Sequence, residues 1–298
     1  MNFNEKMDHD LLEQELNALN KKYKQLELFS IGKSWEGRNI YALKMGNGKK
    51  TSLYVGAHHA LEWCTTQILI KFIDDIFDAR DKNKAFKGVI AHHFFDKACL
   101  IVIPMLNPDG VNLSINGMSP SHPLYERTVK SNGGSDDFSA WQANIRGIDL
   151  NHNYDAGFDL CKKAEQDMGI FLPCATRYGG EYPESEKESF ALVSFTMGLK
   201  PDLTVAFHSQ GEEIYSGYLN KDTGSSLGEI FAKMTGYKLC KPEGIASYAG
   251  YKDWICDKLG LNAFTVECGS GVNPLNPMQT KLAYMKLMTF LISAPMLA

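Results

Sequence analysis

No apolar run in this chain approaches the roughly twenty residues that a membrane-spanning helix needs. Nor is there a block of lysine and arginine. With 31 basic side chains against 35 acidic ones the formal charge is −4, and the basic stripe that marks nucleic-acid binders is missing, which sets that class aside. No two of the seven cysteines stand as C-x-x-C, so a structural zinc ribbon is not expected. Their odd number, and the apolar surroundings of Cys99, Cys256 and Cys268, predict reduced, packed thiols in a cytosolic protein. The N-terminal residues, Met1-Asn2-Phe3-Asn4-Glu5-Lys6-Met7-Asp8, are polar and carry acids. They lack the apolar stretch of a secretory signal. Internal repeats, low-complexity tracts and proline-rich linkers are also absent.

What is present is 298 residues, 44% of them hydrophobic, enough for a large α/β core. Asp8 to Tyr23 has the apolar spacing of an amphipathic helix, through Leu11, Leu12, Leu16 and Leu19. The expected division is a helical extension over residues 1–25 and a catalytic domain over 26–298. Strands are expected near Leu26–Ile31, Asn39–Met45, Thr51–Ala57, Ala98–Met105, Leu203–Phe207 and Ala263–Glu267. Helices are expected near Glu62–Phe77, Ser185–Met197, Ser226–Thr235, Tyr251–Leu259 and Pro277–Ile292. Asn107-Pro108-Asp109-Gly110 reads as a stop after a strand. Asn112 to Phe158 shows little periodicity and reads as a long irregular segment. Strands and helices alternate without segregation, which predicts an α/β fold with a mixed, largely parallel sheet. In such sheets, sites gather outside the carboxyl ends of strands. His59, His208 and Glu267 all fall there.

His59-Ala60-Leu61-Glu62 places an imidazole and a carboxylate three residues apart, where a strand gives way to a helix. With His208 and Glu267 at distant strand ends, these are the parts of a catalytic zinc site, which takes three protein ligands and leaves a fourth position to water. His93-Phe94-Phe95-Asp96 has the same spacing but precedes its strand, where a solvated loop is expected. His58 has Leu61 three residues on and is expected to pack or bond locally. A lone histidine such as His208 more often fills a core than binds a metal. The polar residues after it (Ser209, Gln210, Glu212, Glu213) favour the functional reading. Glu267 lies between Phe264-Thr265-Val266 and Cys268-Gly269, where a carboxylate is costly to bury unless paired or bound to a cation. A structural salt bridge is the competing explanation.

Six ordered motifs now resemble the zinc metallocarboxypeptidase family, the carboxypeptidase A-like peptidases. They are Gly32-Lys33-Ser34-Trp35-Glu36-Gly37-Arg38, His59-x-x-Glu62, Asn107-Pro108-Asp109-Gly110, Gly147-Ile148-Asp149-Leu150-Asn151, His208-Ser209-Gln210 and Phe264-Thr265-Val266-Glu267. The resemblance implies an eight-stranded mixed sheet between helices. It implies one zinc ion on His59, Glu62 and His208, with Glu267 as general base. It implies that Asp149 orients the first zinc histidine and that Asn151 holds a substrate carboxylate. Arg146 is the candidate for stabilising the oxyanion, ahead of Arg127, and Tyr248 for the family's mobile tyrosine.

One position departs from the family. The arginine that clamps a terminal carboxylate is here His152, which cannot form a planar fork. The surrounding motifs, Phe207 to Tyr215 with Gln210 inside them, Trp141 to Gly147, and Asn151-His152-Asn153, resemble one branch: the γ-D-glutamyl-meso-diaminopimelate peptidases, including murein peptide amidases. That implies a peptidoglycan-derived peptide as substrate. Lys252 then lies near the primed-side specificity position, available to a side-chain carboxylate, and Glu212 and Glu213 are available to an amine. The alternatives are an ordinary metallocarboxypeptidase, a zinc deacylase of N-acyl amino acids and an inactive peptide-binding homologue.

Overall fold

The computed structural model describes residues 2–219, 221 and 223–298. Among these the strands are β1 (Glu27–Lys33), β2 (Asn39–Met45), β3 (Lys50–Val55), β4 (Ala85–Phe86), β5 (Val89–Ile90), β6 (Ala98–Ile103), β7 (Leu203–His208), β8 (Glu213–Ser216), β9 (Lys238–Cys240) and β10 (Asn262–Glu267). The helices are α1 (His9–Lys22), α2 (Cys64–Asp81), α3 (Ala91–Lys97), α4 (Pro108–Asn116), α5 (Tyr125–Ser131), α6 (Phe158–Asp167), α7 (Lys187–Leu199), α8 (Ser225–Thr235), α9 (Tyr251–Trp254) and α10 (Pro277–Leu297).

Eight strands form one sheet in the order β1-β2-β6-β3-β7-β10-β8-β9, and β4 with β5 makes a separate small ladder. The centre, β6-β3-β7-β10, is parallel, while β1, β2 and β8 join antiparallel to their inner neighbours. The central strands are apolar throughout because both faces are covered. Their side chains alternate between two cores. Tyr54, Val205, Phe207, Phe264 and Val266 pack with α1, α2, α8 and α10. Leu53, Val55, Ala206 and Ala263 pack with α7 and α9. Helix α1 is capped by Asp8, whose carboxylate accepts from the Leu11 amide at 2.9 Å, and it buries Leu12, Leu16 and Leu19 in the first core.

Two local expectations change. The stretch from Asn112 to Phe158 holds the end of α4, all of α5 and a 3₁₀ turn at Leu150–His152. The strand before Asn107-Pro108-Asp109-Gly110 does end, at Ile103, and the motif also starts α4. Asn107 accepts from the Gly110 amide at 3.0 Å and Pro108 takes the first helical position, where a missing N–H costs nothing. His93 and Asp96 lie on the exposed side of α3, in a helix and not a loop.

The fold brings the carboxyl ends of β3, β7 and β10 side by side. Beyond β3 the chain turns at Gly56, where a Cβ would meet the Pro104 carbonyl oxygen at 2.7 Å. Only glycine lets the two backbones approach this closely. The turn then delivers His58 and His59 onto the α7–α9 side of the sheet.

Candidate metal centre and adjoining cavity

His59 caps the 3₁₀ turn Ala60–Glu62, so Glu62 folds back beneath it. His59 Nδ1 is 3.1 Å from Glu62 Oε1, and His208 Nδ1 is 3.1 Å from Glu62 Oε2. One ligand atom from each of the three residues lies within 4.8 Å of the others. Ligand atoms about 2.0–2.2 Å from a tetrahedral zinc ion lie about 3.3–3.6 Å apart, so the cluster needs little adjustment to hold one. On the far side of His59, Nε2 is 3.1 Å from Asp149 Oδ1, an ion-pair contact that falls short of a well-directed hydrogen bond. Asp149 is itself fixed by the amides of Asn151, at 3.2 Å, and Arg177, at 2.8 Å.

The electrostatics suit a bound cation. Burial alone would raise the Glu62 pKa, but the imidazoles of His59 and His208 outweigh it and bring it down to about 2. Asp149 is likewise held far below the usual carboxylate range: burial opposes this, and the charges of His59 and His152 overcome it. Burial pushes the His208 pKa down. Glu267 is the exception. Burial first, then the charges of Glu62 and Glu213, raise it well above a normal carboxyl. When His59 donates from Nε2 toward Asp149, its Nδ1 lone pair faces the Glu62 carboxylate, and a cation between them removes the repulsion.

Glu267 is the register partner of His208 across the parallel β7–β10 pair, and of Glu213 across the antiparallel β10–β8 pair. Paired residues project to the same face, so this carboxyl stands beside the histidine. His58 packs locally, as expected. Its Nε2 is 3.2 Å from the Tyr154 hydroxyl, its ring lies against that of His208, and burial keeps its pKa low.

A cavity of about 540 Å³ opens at the cluster. Its lining includes His59, Glu267, Asn151, His152, Glu213, Tyr215, Cys240, Lys252 and Asp253. Lys252 is 5% exposed. It donates to the Gly217 carbonyl at 2.6 Å and to the Asp253 carboxylate. Asn151 Oδ1 accepts from the Tyr251 amide at 3.2 Å, which leaves its NH₂ group as a donor toward the cavity. His152 Nδ1 lies 3.2 Å from the Tyr248 carbonyl.

Three candidates fall elsewhere. The Arg146 guanidinium pairs with Glu186 at 3.2 Å and stacks over Trp35 at 4.3 Å, and it does not line the cavity. The Glu186 carboxylate, 40 residues on, draws it away from the reaction side. Tyr248 packs beside Phe158, Cys161 and Ala249 and lies outside the cavity lining. Gln210 is exposed beyond β7 and is also outside that lining. Of the two adjacent acids, Glu212 turns outward to Lys286 at 2.5 Å and Glu213 turns in. Tyr215, Cys240 and Asp253 were not singled out from the sequence. Tyr215 and Cys240 sit on strands of four and three residues, too short for periodicity to reveal. The signal that was available is the alternation Glu213-x-Tyr215.

An α/β sheet with a histidine–carboxylate–histidine cluster at its carboxyl edge defines a class of hydrolytic metalloproteins. The model of the zinc carboxypeptidase family matches residues 12–282, and the chain belongs to that family: it is a hydrolase acting on peptide bonds. It is 34% identical over 277 residues to the gamma-D-glutamyl-L-diamino acid endopeptidase 1 of Lysinibacillus sphaericus, covering 92% of this chain and 68% of that protein. It is 25% identical over 213 residues to human carboxypeptidase A6, covering 69% and 43%. Among solved structures, bovine thrombin-activatable fibrinolysis inhibitor superposes with a TM-score of 0.76 at 18% identity, covering 98% of this chain and 97% of that one. The murein-tripeptide amidase MpaA of Escherichia coli O157 does so at 0.54 and 18%, covering 89% and 91%. These two likenesses establish the fold. No helix among the described residues is long and apolar enough to cross a membrane.

Proposed function

We propose that the protein is a zinc-dependent peptidase that hydrolyses the amide between γ-D-glutamate and diaminopimelate in peptidoglycan peptides. The observation that carries this reading is the cavity itself. Its lining runs from His59 and Glu267 to a buried lysine, Lys252, a donor suited to a carboxylate. The similarity to a γ-D-glutamyl-diamino acid endopeptidase supports it.

In this reading His59, Glu62 and His208 hold one zinc ion, with Asp149 fixing the His59 tautomer. A zinc ion held there would supply a Lewis acid for the scissile carbonyl and a lowered pKa for a water molecule. Glu267 takes the proton from the attacking water and returns it to the leaving amine. Burial and the neighbouring carboxylates raise its pKa, which strengthens it as a base. Asn151 presents its NH₂ group to the carboxylate of the residue being released. His152 does not replace the arginine fork. Its Nδ1 faces the Tyr248 carbonyl, which leaves a single ring nitrogen where the fork needs two donors. Lys252 has one N–H beyond its two acceptors, available to a side-chain carboxylate such as that of diaminopimelate. Arg146 and Tyr248, the candidates for the oxyanion and the mobile tyrosine, lie outside this cavity lining.

The seven free thiols support a reducing compartment, hence a cytoplasmic enzyme acting on imported wall fragments. Residues 26–298 would form the catalytic unit, with 1–25 docked on it as a helical extension. Incubating the zinc-loaded protein with L-Ala-γ-D-Glu-meso-diaminopimelate and, separately, with a hippuryl peptide tests the substrate. Release of diaminopimelate from the first is expected; hydrolysis of the second alone would overturn the reading.

A further inference from the structure

We propose that Glu213, with Tyr215 and Cys240 beside it, forms an ammonium-binding subsite in the wall of the primed-side cavity, so that the cavity selects a side chain bearing a primary amine. The proposal rests on the peptidase reading above and deepens it: Lys252 supplies a positive pole and Glu213 a negative one.

The wall is one continuous face of three strands. Glu213 and Tyr215 alternate on β8 and therefore project the same way. Their partners on β10 are Glu267 and Thr265, and the β9 partner of Tyr215 is Cys240. All five side chains line the cavity. Glu213 thus stands on the same surface as the carboxyl that faces the reacting bond.

Its surroundings are incomplete for an anion. The Tyr215 hydroxyl donates to it, and the Cys240 thiol lies beside it. Both are neutral donors. Lys238 is the register partner of Glu213 on β9 and Lys241 lines the same cavity, but among the described residues no lysine or arginine forms an ion pair with Glu213, whereas its neighbour Glu212 is paired with Lys286. A second carboxyl, Glu267, adds repulsion from the adjacent strand. A partly buried carboxylate held by neutral donors, next to another acid and facing a cavity, is stabilised by any cation that enters. Lys252 forms its ion pair with Asp253 and none with Glu213.

A ligand with an ammonium and a carboxylate on one side chain matches both poles, and about 540 Å³ is room for it. Glu213 acts by charge on the bound residue and does not touch the reacting atoms, so it is a specificity residue.

Four substrates of the form L-Ala-γ-D-Glu-X separate the poles. X is meso-diaminopimelate (amine and carboxylate), lysine (amine only), 2-aminopimelate (carboxylate only) or norleucine (neither). The wild-type enzyme should prefer lysine over norleucine in kcat/KM. In Glu213→Gln that ratio should fall by roughly 10–100-fold, the worth of one charge-assisted hydrogen bond, and Glu213→Asp should restore part of it. An unchanged ratio in Glu213→Gln, or a wild type that takes norleucine as readily as lysine, overturns the subsite. The wild-type comparison stands even if the variant does not fold. Failure of the wild type to cleave any of the four, at full zinc content, overturns the underlying function instead.

Discussion

Replacing Asp149 by asparagine changes one atom and should weaken metal binding at His59 without unfolding the protein. Asp149 Oδ1 sits 3.1 Å from His59 Nε2 and also accepts from the Asn151 amide, while Oδ2 accepts from the Arg177 amide at 2.8 Å. An asparagine must point its NH₂ group at one side. Turned toward Arg177, it sets donor against donor on a buried backbone. Turned toward His59, it favours the tautomer with the proton on Nδ1, the nitrogen aimed at the metal. Either orientation weakens the ligand. Losing such a partner costs about 10–100-fold in metal affinity, or about 1.4–2.7 kcal/mol. Competition against a zinc-selective dye measures this directly, with thermal unfolding of the metal-free forms recorded alongside. Metal affinity unchanged from wild type would refute the argument. So would a loss fully accounted for by a collapse of the metal-free fold.

Glu267→Gln should retain one zinc ion per chain and lose about 10²–10⁴-fold in kcat, the share of a general base; turnover near the wild-type level would mean that another group takes the proton. Glu188 provides a pH test. Burial first, then Asp109 and Glu186, raises its pKa from 4.5 to about 8. The folded state therefore binds more protons than the unfolded state between these values, and stability must fall as pH rises from 4.5 to 8. In Glu188→Gln that part of the slope should vanish, as read by urea unfolding across the pH range; an unaltered slope contradicts the assignment.

The central strands were legible because continuous apolar runs have few other uses, as at Ala98–Ile103 and Leu203–His208. His59 and Glu62 were legible because both come from one turn, so sequence spacing translates directly into geometry. Arg146 was not. It lies three residues from Asp149, yet a buried carboxylate far along the chain decides where its side chain goes. Glu212 and Glu213 could not be told apart by composition either. Only the β8–β10 register assigns one to solvent and the other to the cavity. The α4 start was not legible because Asn-Pro-Asp-Gly is favourable chemistry for both a turn and a capped helix, and packing against the Ala60–Glu62 turn selects the helix.

The central claim is that His59, Glu62 and His208 grip one zinc ion. Elemental analysis of protein purified without chelators should give one zinc per chain, and close to none in the double variant His59→Ala/His208→Ala. No stoichiometric transition metal in the wild type, or full zinc occupancy in the double variant, would contradict it.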